Sequence, residues 1–423
     1  MTVNIPPSQQ KRLVIIGSGF AGLKLAQKLK NSVFQIVLID KYNYHQFQPL
    51  FYQVATSGIE PSAISFPLRK IFQKVKNVFI RITEVTFIDT EKQIINTTLG
   101  NIYYDYLVVA TGANTSYFGM KSLEEHSLPM KTTEEALNLR NSILQNFEDA
   151  LSCKNETDRE GHLNITVVGG GPTGVEVSGA LAEMKKFVIP KDFKELDSSK
   201  IHIYLLEAAN KLLNGMSEIA SLKAKIFLKS LGVEVITNTA VTNYDGKTVE
   251  LSDGKKIISN TLIWTAGIKG NIINGLNSDI LGKGNRIKVN RYNQIQGYEN
   301  IFALGDIALM TEEKYPNGHP QVAQVAIQQA RLLAKNLLRI QFNKPLQPFK
   351  YKNFGSMATI GRNRAVVDFP FVRFQGIFAW FVWMFVHLMS IVGVKNRLLL
   401  FINWFWNYVT YDQSLRLIIR TKK

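Results

Sequence analysis

The chain has 423 residues, enough for about two or three domains with real cores, and its 46% hydrophobic and 20% charged content excludes an intrinsically disordered protein. A single cysteine, Cys153, excludes a disulfide framework and a cysteine-rich metal site. The formal charge of +17 calls for an anionic partner: nucleic acid, an acidic protein or an anionic membrane.

Residues 1–10 are polar with two prolines and carry no signal-peptide core, so the body of the chain is expected on the cytoplasmic side. Residues 13–16 form a short apolar run suited to a buried parallel strand. Gly17, Ser18, Gly19, Phe20, Ala21 and Gly22 then spell G-x-G-x-x-G, followed at once by the helical pattern Leu23, Ala26, Leu29. Gly17 turns out of the strand, Gly19 leaves room for a pyrophosphate, and Gly22 lets helix and strand pack closely. The free N–H groups of the helix N-terminus face the phosphates. A second strand, 37–40, ends on Asp40, suited to ribose hydroxyls. Residues 41–55 read as an aromatic, polar loop entering a short helix, and 64–76 as an amphipathic helix. Strands are expected near 78–88 and 93–98. A further strand from Tyr106 ends in Ala110, Thr111 and Gly112 and returns to the first sheet. Residues 132–151 form one long helix.

The theme repeats from Asn164. Residues 165–168 are a buried strand, and Gly169, Gly171 and Gly174 mark a second G-x-G-x-x-G that opens a helix through Met184. After a lysine-rich polar insertion at 185–200, a strand from Ile201 ends on Glu207. Glu207 suits a ribose 2′-hydroxyl and repels a 2′-phosphate, which favours NADH over NADPH. Residues 262–267, ending on Gly267, close this second unit as Ala110–Gly112 closes the first. Residues 300–306 form a short strand ending in Gly-Asp. Two such units with Gly-Asp returning afterwards resemble the two-dinucleotide-domain flavoproteins of the pyridine-nucleotide oxidoreductase class. The resemblance implies an α/β fold with FAD in one unit, a nicotinamide nucleotide in the other, and Asp306 at the flavin's ribityl chain. Asp306 as a helix N-cap is the alternative.

Two bound nucleotides imply hydride transfer, and the next acceptor is the question. Disulfide reductases of this class need a redox cysteine pair, which one cysteine cannot supply. Gln324 and Gln328 lie four apart on one helix face, fit either for a quinone carbonyl or for solvent. Residues 374–394 carry no formal charge and are crowded with Phe, Trp, Leu and Val; Lys395 and Arg397 interrupt, and residues 398–411 add more aromatics. Arg416, Arg420, Lys422 and Lys423 close the chain. The tail reads as a bilayer span, as helices lying in the interface, or as a dimer surface; dense aromatics with nearby cations favour a membrane. No nucleic-acid motif accompanies the charge. His387, within the apolar tail, reads as a packing histidine.

The most specific runs are Phe47-Gln-Pro-Leu-Phe-Tyr-Gln-Val-Ala-Thr56, Gly169-Gly-Gly-Pro-Thr-Gly-Val-Glu176, Ala323-Gln-Val-Ala-Ile-Gln328, Val394-Lys-Asn-Arg-Leu398 and Asn403-Trp404. Together they resemble the type II NADH dehydrogenases, single-subunit NADH:quinone oxidoreductases of respiratory membranes that pump no protons. The resemblance spans nearly the whole chain. It implies FAD as cofactor, NADH as substrate and a membrane quinone as acceptor. It places Gln324 and Gln328 at the quinone, Glu176 near flavin and quinone as a proton relay or a shaper of the nicotinamide pocket, and Lys395 at the flavin ring. It adds Lys41, Val85, Thr173 and Ala323 to the cofactor-binding set. Because Lys395 must return to the flavin, the tail should lie in the interface and not cross it. The protein is thus expected as a homodimer, peripheral on the cytoplasmic face of the cell inner membrane, with no metal. Asp40 stands where many relatives have Glu. The expected domains are 1–120 and 271–345 for FAD, 121–270 for NADH, and 346–423 for membrane association. A soluble ferredoxin- or rubredoxin-type reductase and a flavin-binding sensor are the competing classes.

Overall fold

The computed structural model describes residues 2–411 and 415–419. The chain forms two compact units. The first comprises the described residues up to His45, with Phe66–Asn114 and Ile268–Asn353; the second comprises Gln46–Ser65, Thr115–Gly267 and the described residues from Phe354 onward. The units divide the chain differently from the four expected segments: 46–65 leaves the first nucleotide unit, and the tail groups with the second.

In the first unit a five-stranded parallel sheet runs Ile301–Ala303, Tyr106–Val109, Arg12–Ile16, Gln35–Asp40, Val78–Ile82. The apolar runs are continuous because both sheet faces are covered, and Leu13, Val14 and Ile15 are fully buried. Strand order reverses at Arg12–Ile16, which puts a crevice at the carboxyl end of that strand. The Phe20–Leu29 helix crosses from it and packs on the long Ala323–Gln341 helix. A three-stranded meander, Val85–Asp89, Ile94–Thr97 and Gly100–Tyr103, shares the core through Ile88, Ile95 and Ile102.

The second unit repeats the pattern: Leu128–Pro129, Thr261–Trp264, Ile165–Val168, Ile203–Glu207, Val233–Thr237, all parallel. An antiparallel meander, Ser356–Gly361, Arg364–Asp368 and Arg373–Gln375, packs on the Pro172–Phe187 helix. Gly179 allows the approach; a Cβ there would lie 2.1 Å from the Ile360 carbonyl oxygen. Two helices, Ile377–Ser390 and Val394–Thr410, complete this unit.

Three local expectations are corrected. Residues 64–76 are not one helix. Two single turns, Pro61–Ile64 and Leu68–Ile71, flank the extended Ser65–Pro67, because Pro67 holds its predecessor extended. The stretch 78–88 is two strands, Val78–Ile82 and Val85–Asp89, which belong to different sheets. The 185–200 segment has structure of its own: the preceding helix runs to Phe187, Ile189–Asp192 adds a turn around Pro190, Phe193 buries its ring against Phe147, and Ser198–Lys200 forms a further turn. Among the described residues no helix is long and apolar enough to cross a membrane. The tail breaks at Gly393, φ +85°, into helices of 14 and 17 residues. At 1.5 Å per residue both fall short of the roughly 30 Å hydrocarbon core.

Candidate functional site

The two glycine loops are built alike. Gly17, at φ +100°, leaves the first strand where a Cβ would lie 2.3 Å from the Ala110 carbonyl oxygen. Its counterpart Gly169, at φ +110°, would meet Thr265 and Ala266 at 2.9 Å. A Cβ on Gly22 or Gly174 would lie 1.8 Å from the carbonyl oxygen of Gly17 or Gly169 respectively. Gly19 and Gly171 are different: a Cβ there would meet no protein atom within 4 Å. Each is the N-cap of its helix, with no capping side chain and no acid in the first turn. Free N–H groups, a positive dipole end and room for close approach together fit a pyrophosphate.

The strand-end acids hold these loops. Asp40 Oδ2 accepts from Ser18 N–H at 2.6 Å and from its hydroxyl at 2.7 Å, while Oδ1 accepts from Tyr42 N–H at 2.9 Å. Glu207 Oε2 accepts from Gly170 N–H at 2.5 Å, and Oε1 from Ala209 N–H at 2.7 Å. A carboxylate has about four lone-pair sites, so each acid retains capacity for a ribose hydroxyl. Thus the residues fit FAD in the first unit and a nicotinamide nucleotide in the second.

The remaining expected positions fall as follows. Phe20 and Ala21 open the first helix, and Phe20 packs edge-on against His45, whose Nδ1 lies 2.8 Å from the Ser18 carbonyl. Ala110 N–H donates to the Ile16 carbonyl, Thr111 Oγ1 donates to the Asn271 carbonyl at 2.6 Å, and Gly112 has φ +70°. Lys41 pairs with Glu84 at 2.5 Å. Val85 begins its strand half-buried. Thr173 is exposed in the first turn of its helix, and Gly267, φ +101°, lies against the Phe118 ring. Asp306 lies inside the short turn Gly305–Ile307, whose cap position is Leu304, so the N-cap alternative does not hold there. Ala323 starts the Ala323–Gln341 helix. Gln328 is engaged: its Nε2 donates to the Lys352 carbonyl at 2.9 Å and its Oε1 accepts from Lys352 N–H at 3.0 Å. Gln324, on the same helix, is half-buried. The neighbouring Gln329 was not singled out, although it is buried and accepts the Gly305 N–H at 2.8 Å.

Within the second unit lies a cavity of about 140 Å³. Glu176 enters it from the helix that the second loop opens, five residues after Gly171. Only 8% of Glu176 is exposed. Burial pushes its carboxyl from 4.5 up to about 8, and the Thr359 N–H at 3.4 Å offsets this weakly. The indole of Trp383 borders the same carboxyl without closing a hydrogen bond. Tyr52, from the aromatic run, lines the cavity with its hydroxyl pushed up by burial and by Glu176. The same run receives the tail helices: Trp404 Nε1 donates to Gln53 Oε1 at 2.8 Å, and Asn407 Nδ2 to the Gly58 carbonyl at 2.8 Å. His387 stacks on Trp383 at 4.1 Å, and burial lowers its pKa to about 4, so it is a neutral packing group. Lys395 is exposed in the first turn of Val394–Thr410.

The cavity also holds residues that sequence reading missed: Glu183, Arg362, Tyr408 and Tyr411. Glu183 had a signal, since residues seven apart share a helix face. Arg362 had none, because it arrives from a hairpin turn far along the chain. On the outer side of the tail helices Phe378 is 76% exposed, Phe385 65% and Phe405 60%. Of the closing cations, Arg416 pairs with Asp192 at 2.6 Å, while Arg420, Lys422 and Lys423 lie outside the described residues.

Known proteins share the sequence pattern and the fold. Residues 11–330 match the family model "Pyridine nucleotide-disulphide oxidoreductase", and 354–410 match "NDH2 C-terminal domain". Two type II NADH:quinone oxidoreductases of Mycobacterium tuberculosis are 38% and 37% identical over 417 and 410 residues, covering 94% and 93% of this chain and 88% and 86% of theirs. A solved NDH2 structure from Plasmodium falciparum in complex with NADH, 21% identical, has the same fold, with a TM-score of 0.88 over 97% of this chain and 100% of that one. This chain belongs to the pyridine nucleotide-disulphide oxidoreductases and, among them, to the type II NADH:quinone oxidoreductases.

Proposed function

We infer that this chain oxidises NADH with bound FAD and reduces a membrane quinone, without pumping protons, as its family does. The net reaction is NADH + H⁺ + quinone → NAD⁺ + quinol. When bound, FAD supplies two-electron transfer between a nicotinamide and the acceptor. The protein's own residues bind, orient and handle the proton. Gly17, Gly19 and Gly22 cradle the flavin nucleotide's phosphates, with Asp40 fixing the loop. Gly169, Gly171 and Gly174 do the same for NADH, with Glu207 favouring the unphosphorylated ribose.

The observation that carries this reading is the Pro172–Phe187 helix. Its N-terminus completes the second nucleotide loop, and its flank presents Glu176 to the cavity. On this reading one rigid element holds the donor loop and the acceptor cavity. Glu176, protonated at neutral pH, is placed to give a proton to a quinone oxygen. Gln324 and Lys395 are assigned to quinone and flavin on the family resemblance. The pair of hydrogen bonds between its amide and the Lys352 backbone supports a holding role for Gln328.

The family is membrane-associated, and no helix among the described residues crosses a bilayer. We place the two C-terminal helices flat in the interface on the cytoplasmic face, with the +17 charge toward anionic headgroups. The homodimer rests on the family resemblance alone. A soluble-acceptor reductase would leave the exposed Phe378, Phe385 and Phe405 without a purpose. Steady-state NADH oxidation tests the reading. Turnover that requires a quinone, with NADH preferred to NADPH, supports it; turnover with a ferredoxin but not a quinone contradicts it.

A further inference from the structure

Glu176 is not the only acid in its cavity. Glu183 lies seven residues on along the same helix and lines the same space, with Ala180 and Phe187 on the shared face. A rise of 1.5 Å per residue sets their Cα atoms about 10 Å apart along the axis. That spacing suits a short file of waters between the carboxyls. The cavity of about 140 Å³ is walled mostly by apolar and aromatic side chains, with Tyr52, Glu176, Glu183, Thr359 and Arg362 among its polar members, and it has room for several.

The two acids differ in access. Glu176 is buried, whereas Glu183 is partly exposed. Around Glu183 stand Arg362 and Arg364 from the meander, Lys186 from its own helix, and Tyr52, Tyr408 and Tyr411 across the cavity. Arg362 N–H donates to Glu183 Oε1 at 2.5 Å. The Arg362 guanidinium lies 4.0 Å from the Tyr408 ring and 3.8 Å from the Tyr411 ring. Aromatic faces therefore hold this cation beside the acid without neutralising it. Desolvation raises the Glu183 pKa, and the Arg362, Arg364 and Lys186 charges pull it back.

We propose that Glu183 is the proton entry to the acceptor cavity, passing to Glu176 the one proton that each NADH + H⁺ + quinone → NAD⁺ + quinol cycle takes from water. This rests on the acceptor reading of the cavity. Only O–H bonds change in the relay. The Glu183 O–H breaks as an O–H forms on the first water of the file, each water hands a proton to the next, the last gives one to the Glu176 carboxylate, and a proton from bulk water restores Glu183. No electron moves. Glu183 is a positioning residue, acting through Glu176.

The test uses the full-length holoenzyme and the Glu183→Gln variant, which keeps the acceptor for the Arg362 N–H. Flavin reduction by NADH should be unchanged. Flavin reoxidation by a short-chain quinone should slow about tenfold or more, less than the 10²–10⁴ of a full general acid because water can leak past. Its solvent isotope effect should rise, and Glu183→Asp should restore the rate. Reoxidation at the wild-type rate, isotope effect and pH profile overturns the proposal while leaving the function intact; loss of reduction by NADH would count against that function instead. If Glu183→Gln does not fold, infrared difference spectra of Glu176→Gln decide. One protonated carboxyl band that shifts on quinone addition is expected, and none overturns the proposal.

Discussion

Glu207 Oε2 accepts the Gly170 N–H at 2.5 Å, so the acid proposed for the ribose also fixes the loop proposed for the pyrophosphate. On the proposed assignment, coenzyme choice and loop shape are coupled through one carboxylate. Glu207→Gln keeps an acceptor but loses the charge that repels a 2′-phosphate. The KM for NADH should rise about tenfold, near the 1.4 kcal/mol of one charge-assisted hydrogen bond, and the preference over NADPH should shrink. Steady-state kinetics with both coenzymes check this.

Gly171 and Gly179 sit on one helix and should respond differently. Alanine at Gly171 meets no protein atom, so Gly171→Ala should melt as wild type yet bind NADH at least about tenfold more weakly, because its methyl occupies pyrophosphate space. Alanine at Gly179 meets the Ile360 carbonyl oxygen at 2.1 Å, so Gly179→Ala should lose on the order of 1–3 kcal/mol. Thermal melts with and without NADH separate the two.

Glu176 has a pH signature. Its folded pKa, about 8, exceeds its ordinary 4.5. Between those values the unfolded chain releases the proton while the folded chain keeps it, so stability falls as pH rises through this window and levels off above it. Glu176→Gln removes the effect. Its stability advantage over wild type should grow from pH 5 to 8, by at most on the order of 5 kcal/mol, and then stay flat. The variant should also slow flavin reoxidation by quinone while leaving reduction by NADH intact. Chemical denaturation across pH and stopped-flow absorbance test both halves.

The exposed aromatic stripe should set membrane affinity. Phe378→Asp with Phe385→Asp removes two rings that burial in lipid would reward by about 1.5–3 kcal/mol each. Liposome partitioning should fall by about 10² or more, with turnover of a water-soluble quinone preserved. Unchanged sedimentation with liposomes would refute the interfacial placement.

Much of this architecture was legible in the chain itself. Short-range rules set both glycine loops, their acids and the returning Gly-Asp, because turn, helix and strand lie within one stretch. The interior histidine at 387 was also readable. What escaped was brought together over long range. Gln329 differs from Gln328 by one step on a helix, and only tertiary packing tells which amide closes on Gly305. Arg362 reaches Glu183 from 179 residues away. The 64–76 stretch misled because its amphipathic spacing survives a Pro67 that breaks the helix.

The most direct measurement is anaerobic stopped-flow flavin absorbance: reduction by NADH, then mixing with a short-chain quinone. The account predicts fast bleaching by NADH and fast recovery with quinone. Bleaching without recovery would contradict the acceptor, and no bleaching by NADH would contradict the second nucleotide loop itself.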